Sequence, residues 1–248
     1  MPHRPDSAHS PGEPHWLQVL AEVLAEYASS AQAERLRVAA AGMQRARRVG
    51  LQPLHRWWAE GLLPMLADTL KPQRPALARL QQLHGRAALG VSGSLGEWRA
   101  ALAPVLQPVY RRAYAYDAAY AQAYGSALAY AEAQVDQAPQ EGDFSDPESF
   151  ARYYAQLSTD AAACAFAQAH ASAALELAAR AYATDDEATY ASLAGPLARV
   201  CAWACSPEQH ARSTVYARMA EQLLASLVPT ASSRTASRDA DATFPFKR

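Results

Sequence analysis

The chain has 248 residues, a formal net charge of −1 and an apolar fraction of 50%. That length and apolar content suffice for a buried core, and the near-neutral charge excludes attraction of the chain as a whole to nucleic acid or an anionic membrane. Three cysteines, Cys164, Cys201 and Cys205, are too few and odd in number for a disulfide framework, and no apolar run approaches the ~18 residues of a membrane span.

In chain order, residues 1–14 are proline-rich, without apolar periodicity or a secretory apolar segment, and predict a disordered tail on a cytoplasmic protein. From His15, Leu17, Leu20, Leu24 and Tyr27 recur at helical spacing. A second helix over about 31–49 ends at Gly50, a residue suited to follow a helix C-terminus. Pro53 suits the first turn of the next helix, LHRWWAEGLL, and Pro64 is expected to break or restart it. RPALARLQQLHGRAAL is a further short helix, and GVSGS is a loop. Ser94 and Glu97 then have the spacing of a capping box, in a helix that Pro104 and Pro108 should interrupt.

A tyrosine-rich helix follows over about 108–136, and a linker is expected near 137–146. Asp146 as N-cap and Pro147 in the first turn open a helix that nothing stops until about Thr184. Thr184–Glu187 and Ser206–Gln209 have capping-box spacing again and should open two more helices. Residues 229–248 read as a second disordered tail. No stretch alternates with the period of a strand. The expected fold is therefore all-α: one domain over 15–228, an antiparallel helical bundle with two long alanine-rich helices and shorter N- and C-terminal helices. Lysine occurs only at Lys71 and Lys247 and asparagine not at all, which resembles the GC-rich coding bias of actinobacteria.

The tyrosine helix carries the first candidate site. Tyr116, Tyr120 and Tyr124 are four apart and share a face, with Tyr110 and Tyr114 on one side of the arc and Tyr130 on the other. The opposite face holds Ala115, Ala118, Ala119, Ser126, Ala129 and Ala133, and this smooth side is expected to lie against the 147–183 helix. The tyrosine face is first of all core packing. It also reads as an interaction surface, or as the phenol-lined wall of a ligand cavity with Asp117 at its edge.

Other constellations point away from catalysis. Cys201 and Cys205 share a helical face beside Trp203 and read as buried structural thiols, not zinc ligands. No Glu-x-x-His pair of the di-iron bundles occurs, and no nucleophile elbow or phosphate-binding glycine loop. The acids Asp185 to Glu187 resemble the aspartate-rich magnesium motif of terpene synthases, but Thr189 stands where a third acid belongs. A helix start accounts for them. Arg45, Arg47, Arg48 and Arg56, near Trp57 and Trp58, form the most basic region and a candidate phosphate-binding patch.

The reading that follows is a non-enzymatic helical interaction or regulatory module that can associate with a protein partner or with itself. It needs no cofactor, metal or membrane. The alternatives are a small-molecule-binding protein or enzyme with a tyrosine-lined cavity, and a helical DNA-binding regulator in which nucleic acid is the secondary partner.

Overall fold

The computed structural model describes residues 15–45, 50–135, 146–206, 208 and 211–228. The expected tails and nearly all of the expected linker lie outside these residues. The described elements are α1 (Trp16–Ala25), α2 (Ser30–Arg45), α3 (Gln52–Arg56), a π-helical turn (Trp57–Leu62), α4 (Leu63–Thr69), a 3-10 turn (Lys71–Gln73), α5 (Arg74–Ala88), α6 (Leu95–Ala113), α7 (Tyr116–Val135), α8 (Pro147–Thr184), α9 (Glu187–Cys205) and α10 (Arg212–Leu227). The all-α bundle is as expected, with no strand among the described residues.

Local chemistry sets several boundaries. Ser94 Oγ accepts from the Glu97 N–H at 3.2 Å, and Glu97 accepts from the Ser94 N–H at 2.7 Å, a complete capping box. Asp146 accepts from the Ser149 N–H at 2.7 Å and opens α8, which runs for 38 residues. Pro64 sits in the first turn of α4 and restarts the helix there, as expected. A proline ring crowds the carbonyl four residues back and supplies no N–H. The widened turn over Trp57–Leu62 absorbs both defects.

Other boundaries differ from the sequence reading. Pro104 and Pro108 lie inside α6, because its buried face of Trp98, Leu102, Val105, Leu106 and Val109 outweighs the lost backbone bonds. The break comes later, where Tyr114 turns extended (φ −63, ψ 133), so the expected 108–136 helix is divided between α6 and α7. Asp186, not Thr184, caps α9 and accepts from the Thr189 N–H at 3.0 Å. Its neighbour Asp185 sits at φ 55 and accepts the Leu51 N–H at 3.0 Å, while Glu187 accepts the Gly50 N–H at 3.0 Å. These acids thus satisfy backbone donors at the start of α3, which have no partner inside the helix. Ser206 is the C-cap of α9; of the expected Ser206–Gln209 capping box, residues 207 and 209 lie outside the described residues, and α10 begins after Ala211 with no side-chain cap.

The core joins α1, α3, α4, α5, α6, α9, α10 and the C-terminal half of α8. Trp16, Trp57, Trp58 and Trp98 are fully buried in it, so the adjacent tryptophans anchor the fold. Trp57 Nε1 donates to the Met219 carbonyl at 3.1 Å.

α7 and the N-terminal half of α8 form the expected hairpin. It is antiparallel, since Tyr130 meets Phe150 at the turn end and Tyr114 meets Phe166 at the other. On α8 the seam is Ala151, Ala155, Thr159 and Ala163, one buried residue every four. The facing side of α7 is not the expected one. Ala127 and Ala131 are buried, flanked by half-buried Ala119, Tyr120, Ala123 and Tyr124. Ala115, Ala118, Ser126, Ala129 and Ala133 face solvent. Alanine against alanine buries little apolar area, whereas turning Tyr120 and Tyr124 toward the seam adds ring area and leaves their hydroxyls at the rim.

Ala163 is 1% exposed in this seam, and Ala163→Leu should cost about 1–3 kcal/mol by overpacking. Ala129→Leu, on the solvent side, should stay within about 0.5 kcal/mol of wild type. Thermal unfolding of both variants checks the assignment, and a reversed order would turn α7 around.

Candidate functional site

α8 has two environments. Its C-terminal half packs on α6 and α9, while its N-terminal half meets α7, whose one substantial helix partner among the described residues is α8. The hairpin is therefore an arm carried by the core, with a covered seam and open flanks.

One flank is aromatic. On α8, Phe150, Tyr153, Tyr154 and Leu157 follow the spacing i, i+3, i+4, i+7 and share a face; Tyr130 joins them from α7. Exposure is 59% for Tyr130, 58% for Tyr153, 50% for Tyr154 and 56% for Leu157, and Phe150 is half-buried between them. The ring centroids lie 6.2 Å apart for Tyr130 and Phe150, and 6.0 Å for Phe150 and Tyr154. With Ser126 and Ala127 these three rings line a groove of about 440 Å³. None of the flank side chains is charged. Such a surface offers ring area with phenol hydroxyls at its margin, which is the chemistry of protein contact.

The tyrosines singled out in the sequence do not form one face. Tyr110 is buried at the end of α6, its phenol pushed up to about 12 by burial and by the nearby Cys201 thiol, and stacks on His170 at 6.1 Å. Tyr114 sits in the break between α6 and α7, 5.5 Å from Phe166. Tyr120 and Tyr124 stack on each other at 6.3 Å beside the seam. Asp117 is exposed, and the Tyr116 side chain lies outside the described residues. Tyr130, also on that arc, is exposed, and the other exposed rings of the arm are Tyr153 and Tyr154 of α8. The signal of these two was present as helical spacing in ESFARYYAQL, but the denser tyrosines of α7 masked it.

The arginines are also divided. Arg45 closes α2, but its side chain, together with Arg47 and Arg48, lies outside the described residues. Arg56 Nη1 donates to the carbonyls of Ser226 at 3.1 Å and Val228 at 3.2 Å. It thus binds the end of α10, where carbonyls lack helical partners and a cation is favoured. Arg35 pairs with Glu221 at 2.9 Å, again between α2 and α10.

Burial pushes the Cys201 thiol up, and raises Cys205 to about 12, so both remain protonated; Cys164 is exposed on α8. Among the described residues no group of three or more His, Cys, Asp or Glu could hold a metal ion, and no helix is long and apolar enough to cross a membrane.

The core also holds a buried histidine pair that no sequence motif marks. His55 of α3 and His84 of α5 meet Nδ1 to Nδ1 at 2.9 Å. Trp58 stacks on His84 at 5.3 Å and Trp98 on His55 at 5.4 Å, while Tyr182 lies edge-on to both imidazoles at 5.1 Å. One sequence signal existed: His84 continues the apolar stripe of Leu77 and Leu80 on the buried face of α5.

Comparison of the chain with known protein families, curated proteins and solved structures finds no match. The function therefore rests on the arm and the core beneath it.

Arg56→Ala should remove a charge-assisted cap from α10 and destabilise the fold by about 1–3 kcal/mol. Thermal melting measures this. An unchanged melting temperature would mean that Arg56 contributes nothing as a cap.

Proposed function

We propose that the protein is a helical interaction module that associates with a second copy of itself through the aromatic flank of the α7–α8 arm. The observation that carries this reading is the arm's incompleteness: among the described residues α7 packs substantially on one helix, and beside it stands a face with Tyr130, Tyr153, Tyr154 and Leu157 each at least half exposed. Two antiparallel helices with an alanine seam gain little from their own contact, whereas two such arms paired flank to flank make a four-helix bundle.

Size supports a second copy as the occupant. α7 has 20 residues, so the shared length of the arm is about 30 Å, and two helices side by side are about 20 Å wide. Paired along the whole arm, two copies would cover about 600 Å² each, against the ~800 Å² per partner of a stable interface, and the aromatic patch over residues 150–157 would fill about 12 Å of that length at the turn end. The uncharged side chains of the flank add no like-charge repulsion between identical surfaces. The nucleic-acid alternative has lost Arg56 to the end of α10.

Native mass spectrometry and light scattering of the full chain should therefore find a dimer. Tyr154→Ala and Leu157→Asp should each weaken it at least about tenfold, the effect of losing one well-placed interface side chain. Their melting temperatures at low concentration should match wild type, since both side chains are exposed. A monomer at high concentration, or unchanged association in both variants, overturns the proposal.

A further inference from the structure

The His55–His84 contact imposes a strict condition on its protons. At 2.9 Å one Nδ1 must donate and the other accept, so the two rings hold opposite tautomers. His84 Nε2 is buried with no partner. A bare lone pair there is less costly than a buried N–H without an acceptor, which assigns the donating Nδ1–H to His84 and the accepting Nδ1 to His55. A proton added to His55 Nδ1 would set two N–H groups against each other. One added to His84 Nε2 would place an unpaired cation in the core.

Nothing around the pair compensates such a charge. Arg56 of α3 is turned to the end of α10, and Glu60 of the π turn is exposed. On α5 and α6, Arg79 is exposed, Arg86 pairs with Glu97, and Arg99 pairs with Glu176 of α8. Arg180 of α8 is exposed. The polar groups facing inward from α8 and α9 are the Tyr182 and Tyr190 phenols and the Cys201 thiol, all kept protonated by burial.

We propose that the His55–His84 pair is an acid-operated latch: both rings neutral, it ties α3 to α5 and, through Trp98 and Tyr182, to α6 and α8, and uptake of a proton opens that joint. Burial lowers His55 to about 3, and lowers His84 well below the ordinary value, with His55 adding repulsion. In the unfolded chain both return to about 6.5. The unfolded state therefore binds more protons below that pH. The latch is fully closed above about pH 6.5 and loses strength as pH falls, the unfolding constant rising up to about tenfold per histidine for each pH unit.

The test is urea unfolding of the full chain between about pH 5 and 6, above the range in which Glu26 and Glu97 take up protons. Wild type should approach a 100-fold rise in the unfolding constant per pH unit, and His55→Gln or His84→Gln, which hydrogen-bond but do not titrate, about tenfold less. Equal pH dependence in wild type and both variants overturns the latch. Should the variants not fold, imidazole nitrogen spectra of wild type decide. Two histidines that stay neutral at about pH 5 support it, and titration of all of them near the ordinary value of about 6.5 overturns it.

Discussion

Two neutral imidazoles clamped between indoles hold the centre of this protein. His55 and His84 share one hydrogen bond at 2.9 Å, with Trp58 and Trp98 stacked outside them and Tyr182 across their edges. The rings come from α3, the π turn, α5, α6 and α8, so one cluster fixes how five elements meet. A chain this rich in alanine has few large side chains with which to build a core. Concentrating the rings at one joint gives that joint the apolar area that the alanine helices cannot supply.

The arm follows from the same scarcity. Where α8 leaves the aromatic cluster, its buried face becomes alanine and threonine at every fourth residue, and α7 is held along that narrow seam. A close helix pair of this kind brings backbones together but leaves wide flanks uncovered. The rings that do occur in the arm divide between the seam, where Tyr120 and Tyr124 are half-buried, and the open flank of Tyr130, Tyr153, Tyr154 and Leu157. The surface proposed for self-association is thus the part of the arm that the seam does not use.

Charged residues serve mostly to close the fold. Asp185 and Glu187 accept the N–H groups of Leu51 and Gly50, and Arg56 donates to the last carbonyls of α10. Arg199 and Glu26 make a double hydrogen bond between α9 and the end of α1, both at 2.6 Å. In the sequence the same residues could be read as a magnesium motif or a phosphate-binding patch, because side-chain charge looks alike whether it meets a ligand or an orphaned backbone group.

The all-α class, the capping box at Ser94, the Asp146 start of α8 and its run to Thr184 follow from local residues alone, since each depends on side chains within one or two turns of one another. The hairpin partners were legible for the same reason, as neighbouring low-charge helices joined by a short segment. Tertiary structure alone decided which face of α7 meets α8. The smooth face and the tyrosine face both satisfy helical periodicity, and the choice depends on how much area the partner's alanines leave unfilled. Only the tertiary structure could bring His55 and His84 together, 29 residues apart, because their contact follows from how α3 and α5 pack and not from any local preference of either segment.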